Sequence, residues 1–329
     1  MIHPIPPGTR DVLPDEMREL RRLKAALIEV FEARGYGEVA TPAMEYDEVM
    51  ARADGPARSS YRFFDGSGEL LTLRSDMTVP IARLVATRFA TAEPPLRFSY
   101  LASGYRAVRP QRGQMREFVQ AGVELIGASP EEGAVEVIEV LEAALDAAGL
   151  GSAVIGLGDA DLYRQLLEEL GVEGEARDAV LASLATHDLV ALEQNLIDAG
   201  IGDERAQTCV QLTQLRGGSE VLEQARGLGG AAVERATTQL RQVYDELQRR
   251  GAADRVQIDL GLLRDLGYYS GAILEVYDPA LGHVLGGGGR YDGLLKRFGV
   301  DQPAAGFALY MERVHVAQME EEPRGGADS

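Results

Sequence analysis

One cysteine, Cys209, two lysines, Lys24 and Lys296, four histidines and no tryptophan occur in 329 residues. A single cysteine rules out an intramolecular disulfide and a cysteine-rich metal centre. The shortage of lysine leaves no Gly-x-x-x-x-Gly-Lys-Ser/Thr run, so the chain is not a P-loop NTPase. His3, His187, His283 and His315 lie far apart and share no ligand spacing, so no metal site is expected. A Ser-His-Asp reading lacks its Gly-x-Ser-x-Gly elbow. No apolar run approaches the roughly 20 residues that span a bilayer. The opening "MIHPIPPGTRDVLP" has neither an apolar signal core nor an Arg/Ser-rich amphipathic character, so a cytoplasmic location and no membrane are expected. Basic charge is scarce as well: 33 Lys and Arg stand against 52 Asp and Glu, a formal charge of −19. A field of that sign repels a polyanion at long range and argues against nonspecific nucleic-acid binding.

The composition that remains, 45% hydrophobic and 26% charged, is that of an ordinary globular chain, long enough for two domains. Leu20, Leu23, Leu27 and Val30/Phe31 share one face of a helix expected over Asp15–Arg34, with Gly35 as its C-terminal stop. "YRFFDGSGELLTLRSD" reads as two strands around a turn at 65–68, with Leu71 and Leu73 on one face. A strand near 96–108, a turn at Pro110–Gly113 and a return strand near 115–126 follow. Alternation puts Val119, Ala121, Val123 and Leu125 on one side of the return strand and Phe118, Gln120, Gly122 and Glu124 on the other. "SPEE" at 129–132 offers Ser129 as a cap, Pro130 at the first helical position and Glu132 to close a capping box. Its helix would run to Gly149 with Ile138, Leu141 and Leu145 inward. Residues 159–250 turn helical, and Val233, Ala236, Leu240, Val243 and Leu247 mark one helix face there. Strands return from 256.

This order predicts an α+β fold: an antiparallel sheet flanked by helices, with a core domain of 1–158 and 251–318 and a helical insertion at 159–250. A disordered tail is expected over 319–329.

Several polar groups stand where chemistry is possible. Gln120 and Glu124 lie two pleats apart with Gly122 between them, where a missing side chain leaves room for a ligand. A carboxamide and a carboxylate on a sheet floor suit a cationic small molecule such as an amino acid. Periodicity alone fits a solvated outer face equally well, the more ordinary reading. Arg74, Asp76 and Thr78 alternate in "LRSDMT", although Ser, Asp and Thr are also common helix starters. Arg264 precedes the pair Tyr268 and Tyr269, and is either a loop arginine beside packed rings or part of a site. "GGGGRYDGL" at 286–294 is a phosphate cradle or a tight hairpin. Arg106, Arg109, Arg112 and Arg116 crowd around the Pro110–Gly113 turn of an otherwise acidic chain.

Taken in order, "PPGTRDVLP", "LTLRSDMT", "YRAVRPQRGQMREFVQAGVELIG", "RDLGYY" and "GGGGRYDGLL…GFALYMERV" resemble the catalytic core of histidyl-tRNA synthetase over about residues 6–314. The resemblance implies a class II synthetase-like fold and a histidine pocket made by Asp76, Thr78, Arg106, Gln120, Glu124, Arg264, Tyr268, Tyr269 and Tyr291. Within it, Asp76 and Glu124 would meet the ammonium group, Gln120 the carboxylate or amino region, and the tyrosines the imidazole. The departures bear on ATP. The family's Arg-x-Glu is Arg106-Ala107-Val108, its Gly-Arg is Gly113-Gln114, and its Arg-Gly-Leu-Asp is Arg264-Asp265-Leu266-Gly267. Losing cations and adding an acid disfavours a triphosphate, whose chemistry depends on cationic clamps. Tyr310 replaces a glycine and would fill the adenine slot. Sixteen residues follow Arg313, fewer than an anticodon-binding domain occupies, so no nucleic-acid partner is expected.

Histidine recognition without ATP or tRNA machinery resembles the regulatory-subunit family of ATP phosphoribosyltransferase. That likeness implies a non-catalytic role, no cofactor and the short catalytic subunit as partner. It also implies L-histidine as effector and a homodimer within a hetero-oligomer, formed around "YGEVATPAMEY" at 36–46. A truncated histidyl-tRNA synthetase or another histidine-activating enzyme is the alternative, and a scaffold for some other protein is a further one.

Overall fold

The computed structural model describes residues 5–54, 60–108, 115–264, 267–279 and 281–321. The N-terminal part runs α1 (Pro14–Ala33), β1 (Gly37–Glu38), β2 (Met44–Tyr46), α2 (Asp47–Asp54), β3 (Arg62–Phe64), β4 (Leu70–Leu73) and α3 (Thr78–Arg88). The long hairpin β5 (Leu96–Tyr105) and β6 (Glu117–Ile126) follows, then α4 (Pro130–Ala147) and β7 (Val154–Asp159). A helical stretch comprises α5 (Leu162–Glu169), α6 (Gly174–Ala185), α7 (Leu189–Asp198), α8 (Asp203–Thr213), α9 (Glu220–Leu228) and α10 (Ala231–Arg250), with β8 (Arg216–Gly217) between α8 and α9. The chain closes through β9 (Val256–Asp259), β10 (Ala272–Tyr277), β11 (Val284–Arg290), β12 (Ala304–Tyr310) and α11 (Met311–Glu321).

Among the described residues nine strands form one sheet in the order β1-β5-β6-β12-β11-β10-β7-β9-β8, and only β1–β5 and β7–β9 are parallel there. A small sheet, β2-β4-β3, stands apart from it. The expected antiparallel α+β arrangement is therefore present. One face of the large sheet packs on helices, because Ala121, Val123 and Leu125 of β6 meet Leu27 and Phe31 of α1 and Ile138, Leu141 and Leu145 of α4 in one continuous core. Buried side chains of the helical stretch, among them Leu166, Val180, Leu196, Leu222 and Leu240, belong to the same core. The opposite face of β6 carries the candidate site over a second cluster, which includes Met77, Ile81, Tyr100, Tyr268 and Tyr291. Among the described residues no helix is long and apolar enough to cross a membrane.

Several local expectations change. Gly286–Gly289 form no hairpin turn; they lie inside β11, between β10 and β12. On β4 the fully buried residue is Thr72, while Leu71 and Leu73 are half-covered on the other face. Ser129 precedes α4, but its hydroxyl donates to the Glu132 carboxylate at 2.7 Å, so no capping bond to the backbone forms. Helix α11 continues to Glu321, three residues into the segment expected to be a tail, and 322–329 lie outside the described residues.

Candidate functional site

The site is built on the face of β6 that points away from α1 and α4. Gln120 and Glu124 are 4% and 1% exposed, so this face is covered and the solvated reading does not hold. The cover comes from three directions. Helix α3 starts beside it, the loop ahead of β10 brings Tyr268 and Tyr269, and the segment after β11 brings Tyr291. Together they line a narrow cavity of about 30 Å³, whose wall includes Asp76, Thr78, Arg106, Gln120, Arg264, Tyr268, Tyr269 and Tyr291. Of the nine residues expected to meet a ligand, only Glu124 is not on that wall.

Glu124 lies one hydrogen bond behind it. The Thr78 hydroxyl donates to Glu124 Oε1 at 2.8 Å, and the Tyr291 hydroxyl donates to Oε2. Gly306 is paired with Glu124 across β6–β12, and a Cβ at 306 would strike that carboxyl, so the glycine is what makes room for it. Burial pushes the Glu124 acid up to about 8, the Asp76 charge adds to the rise, and the bonds from Tyr291 and Thr78 oppose it.

Asp76 combines both roles the sequence offered. Its Oδ1 accepts the Val79 amide at 3.1 Å, anchoring the first turn of α3, and the side chain still lines the cavity. Arg74 leaves the site: its guanidinium donates to the carbonyls of Ser103, Thr41 and Pro42 and clasps two segments together. Gln120 Oε1 is buried without a hydrogen-bond partner among the described residues. A buried carbonyl oxygen left in that condition is an acceptor awaiting a donor. The Tyr268 ring lies 5.0 Å from Tyr269 and 6.0 Å, edge-on, from Tyr291, giving the cavity an aromatic wall. Arg264 Nη1 donates to the Leu274 carbonyl at 3.1 Å and approaches Glu275 at 3.8 Å.

Gly122 does not leave space for a ligand. The register sets Tyr100 of β5 opposite it, and the Tyr100 hydroxyl occupies the place a Cβ would take. Tyr100, Phe307 and Ala308 line the cavity without having been singled out in the sequence. The alternation of β5 and β12 would have found Tyr100 and Ala308 once the strand register was known, whereas Phe307, paired with Val123, belongs to the opposite face.

Arg106 marks the border of a second cavity, about 190 Å³, lined also by Val108, Met115, Phe118, Tyr310, Glu312 and Arg313. Arg106 Nη1 donates to the Tyr310 hydroxyl at 3.1 Å, and its guanidinium lies 4.8 Å over the Phe118 ring. Phe118 and Tyr310 meet edge-on at 5.4 Å, and the Arg313 guanidinium lies over the Tyr310 ring at 4.6 Å. Burial alone would raise the Tyr310 phenol, but Arg106, Arg264 and Arg313 outweigh it and hold the group below its usual value. Both Glu312 oxygens accept the Val119 amide. Arg116 Nε donates to the Val108 carbonyl at 3.1 Å, while Arg109, Arg112, Gln114, Asp265 and Leu266 lie outside the described residues.

Comparison with known proteins fits this geometry. The histidyl-tRNA synthetase family model matches residues 8–314. A protein of Desulforamulus reducens named ATP phosphoribosyltransferase regulatory subunit is 42% identical over 94% of this chain and 78% of its own length. One of the same name from Moorella thermoacetica is 42% identical over 97% of this chain and 83% of its own. Among solved structures, one from Bacillus halodurans titled ATP phosphoribosyltransferase regulatory subunit/histidyl-tRNA synthetase superposes with a TM-score of 0.87. It is 33% identical, covering 97% of this chain and 84% of that one. The cavity, the antiparallel sheet and these similarities lead to one conclusion: the chain belongs to the histidyl-tRNA-synthetase-like family of ATP phosphoribosyltransferase regulatory subunits.

Proposed function

We propose that the chain binds the short catalytic subunit of ATP phosphoribosyltransferase, supports its activity and transmits feedback inhibition by free L-histidine, without catalysing a reaction itself. The observation that carries this reading is the unequal condition of the two cavities. The amino-acid cavity keeps acidic, amide and aromatic groups converging on one space, with the Gln120 oxygen unpartnered among the described residues. In the neighbouring cavity Arg106 is tied to Tyr310 and Phe118, and the Glu312 carboxylate is taken up by a backbone amide. Asp76, with Gln120 beside it, would receive the ligand ammonium, Arg264 the carboxylate, and Tyr268, Tyr269 and Tyr291 the imidazole. A coupling of about 1–3 kcal/mol between this pocket and the partner interface is enough for regulation, and it must act in both directions.

A homodimer within the hetero-oligomer is part of the proposal. Met44 and Tyr46 of β2 are 52% and 51% exposed on one face of the small sheet. Cross-strand pairing puts Phe63, Leu71 and Leu73 on that same face, and none of the five joins either core cluster. An apolar sheet face of this kind suits a second copy. Tyr46→Glu is expected to yield monomers in analytical ultracentrifugation; an unchanged dimer would remove this face from the interface.

The deciding experiment is co-purification with the short catalytic subunit, followed by assay of phosphoribosyl transfer with and without L-histidine. Activity that needs both chains and falls with histidine supports the proposal. Histidine-dependent exchange of pyrophosphate into ATP by this chain alone would establish an amino-acid-activating enzyme instead.

A further inference from the structure

Residues 267–271 carry Tyr268 and Tyr269 to the amino-acid cavity, and their main chain is fastened on two sides. On one side the Ser270 amide donates to the Arg290 carbonyl at 2.8 Å, and the Asp292 amide donates to the Ser270 hydroxyl at 3.0 Å. Those bonds tie the loop to the stretch that holds Tyr291. On the other side it meets the head of α5. The Ala160 amide donates to the Gly271 carbonyl at 2.7 Å, one step beyond the last β7–β10 pair, Asp159 with Ala272. The Gly271 amide donates to Asp161 Oδ2 at 2.9 Å. Arg164 Nη2 donates to the Tyr269 carbonyl at 2.9 Å and to Asp161 Oδ1 at 2.6 Å.

Asp161 stands at the N-cap of α5, where a short acidic side chain ordinarily accepts an amide from the first turn of its own helix. It makes no such bond. Both carboxylate oxygens serve the loop instead, Oδ2 directly and Oδ1 through Arg164. Local rules of this kind are set aside where a residue serves another part of the fold. Between the loop and α6 lies an open groove of about 510 Å³, bordered by Leu181, Ala182 and Ala185 of α6, by Tyr269 and by Arg164. A space of that size is not close packing, so the bonds to residues 160–164 carry the support on this side. The cavity in front of the loop, about 30 Å³, has room for little more than one water. A larger ligand must therefore turn the rings that close it, and the main chain that carries those rings fixes where they settle.

We propose that Asp161 and Arg164 are positioning residues of the amino-acid cavity: they set the main chain of residues 269–271 and, through it, the Tyr268 and Tyr269 rings against which the ligand lies. The helical stretch thereby contributes to the site, although none of its described side chains is on the cavity wall. The inference rests on the histidine-effector reading above. Arg164 makes both contacts with a single nitrogen, so a lysine ammonium can stand in for it, as it could not for a forked two-nitrogen contact.

The test is calorimetric titration of the full chain and its variants with L-histidine. Arg164→Ala should weaken binding about three- to tenfold, the effect of losing one net hydrogen bond, and Arg164→Lys should restore most of that loss. Arg235→Ala is the control. Arg235 of α10 bonds Gln165 and Glu169 of the same α5, and neither bond reaches the loop, so this variant should bind as wild type does. Unchanged affinity in Arg164→Ala, an equal loss in Arg164→Lys or an equal loss in Arg235→Ala overturns the inference and leaves the histidine reading standing. No binding by the wild-type chain overturns both. Should Arg164→Ala fail to fold, Asp161→Asn decides, since asparagine keeps one acceptor oxygen where two are used. Affinity equal to wild type in that variant overturns the positioning role.

Discussion

Replacing Glu124 by glutamine has a calculable effect on the free protein. The ordinary acid value is 4.5 and the buried one about 8, so between those values the folded chain holds a proton that the unfolded chain has released. The sign follows directly. A raised folded value gives a contribution that is fully present below pH 4.5 and lost as pH rises through 8. Integrated from pH 5.5 to pH 8, the loss is about 3 kcal/mol. Glutamine cannot ionise, so the variant should escape that decline whatever its stability at the acid end. For a chain of this length each kcal/mol moves the melting temperature by about 1.5 °C, so the wild-type minus variant difference should shift by about 4 °C across the range. Other carboxyls with raised values, such as Asp159 and Glu275, are present in both proteins and cancel in the difference. Thermal melts of both proteins at four pH values would suffice. Parallel curves, with the same gap at pH 5.5 and pH 8, would refute the claim that Glu124 is held protonated.

Three further outcomes follow from the same coordinates. In an alkaline ultraviolet titration one tyrosine should ionise below the usual value of 10, and Tyr310→Phe should remove that component while leaving the resistant rings, Tyr100, Tyr163, Tyr268 and Tyr291, untouched. Gly122→Ala places a methyl against the Phe307 carbonyl and the Tyr100 hydroxyl, and should cost about 1–3 kcal/mol in a urea titration. Glu136 accepts two bonds from Arg97 and one from Tyr36, and these outweigh the rise from burial, so its acid lies below the usual value. Glu136→Gln should cost about 1 kcal/mol at neutrality. It should also flatten the loss of stability in wild type as pH falls through that lowered value, which acid titration of the melting temperature would show.

Helix faces and the site strand were legible in the sequence because each depends on local periodicity. Leu20, Leu23, Leu27 and Phe31 on α1, and Ile138, Leu141 and Leu145 on α4, are buried as their spacing requires. Gln120 and Glu124 share the predicted face, but their burial was not readable, since it comes from α3 and from a loop more than 140 residues away. Tyr100 was missed for a sharper reason. A turn centred within Pro110–Gly113 leaves the hairpin register uncertain by one residue, and one residue exchanges the faces of an entire strand. The pairing of Tyr100 with Gly122 settles it. The glycine run misled because the same four residues suit a tight turn and a crowded central strand. Neighbours decide between those two, and composition does not.

That strand carries a consequence for how a signal crosses the molecule. At Gly286–Gly289 the large sheet bears no side chains on either side, so its wall is a single peptide thick there. Arg264 leans on one side of it at Gly287, and Phe307 and Leu309 crowd the other at Gly288 and Gly286. Rigid main chain passes displacement without the slack that rotatable side chains introduce. Four glycines in a strand cost about 2–4 kcal/mol in chain entropy relative to alanine. In return, the helical layer and the aromatic layer are brought close together, and a displacement at the cavity need travel only the thickness of one backbone to reach α4 and α11.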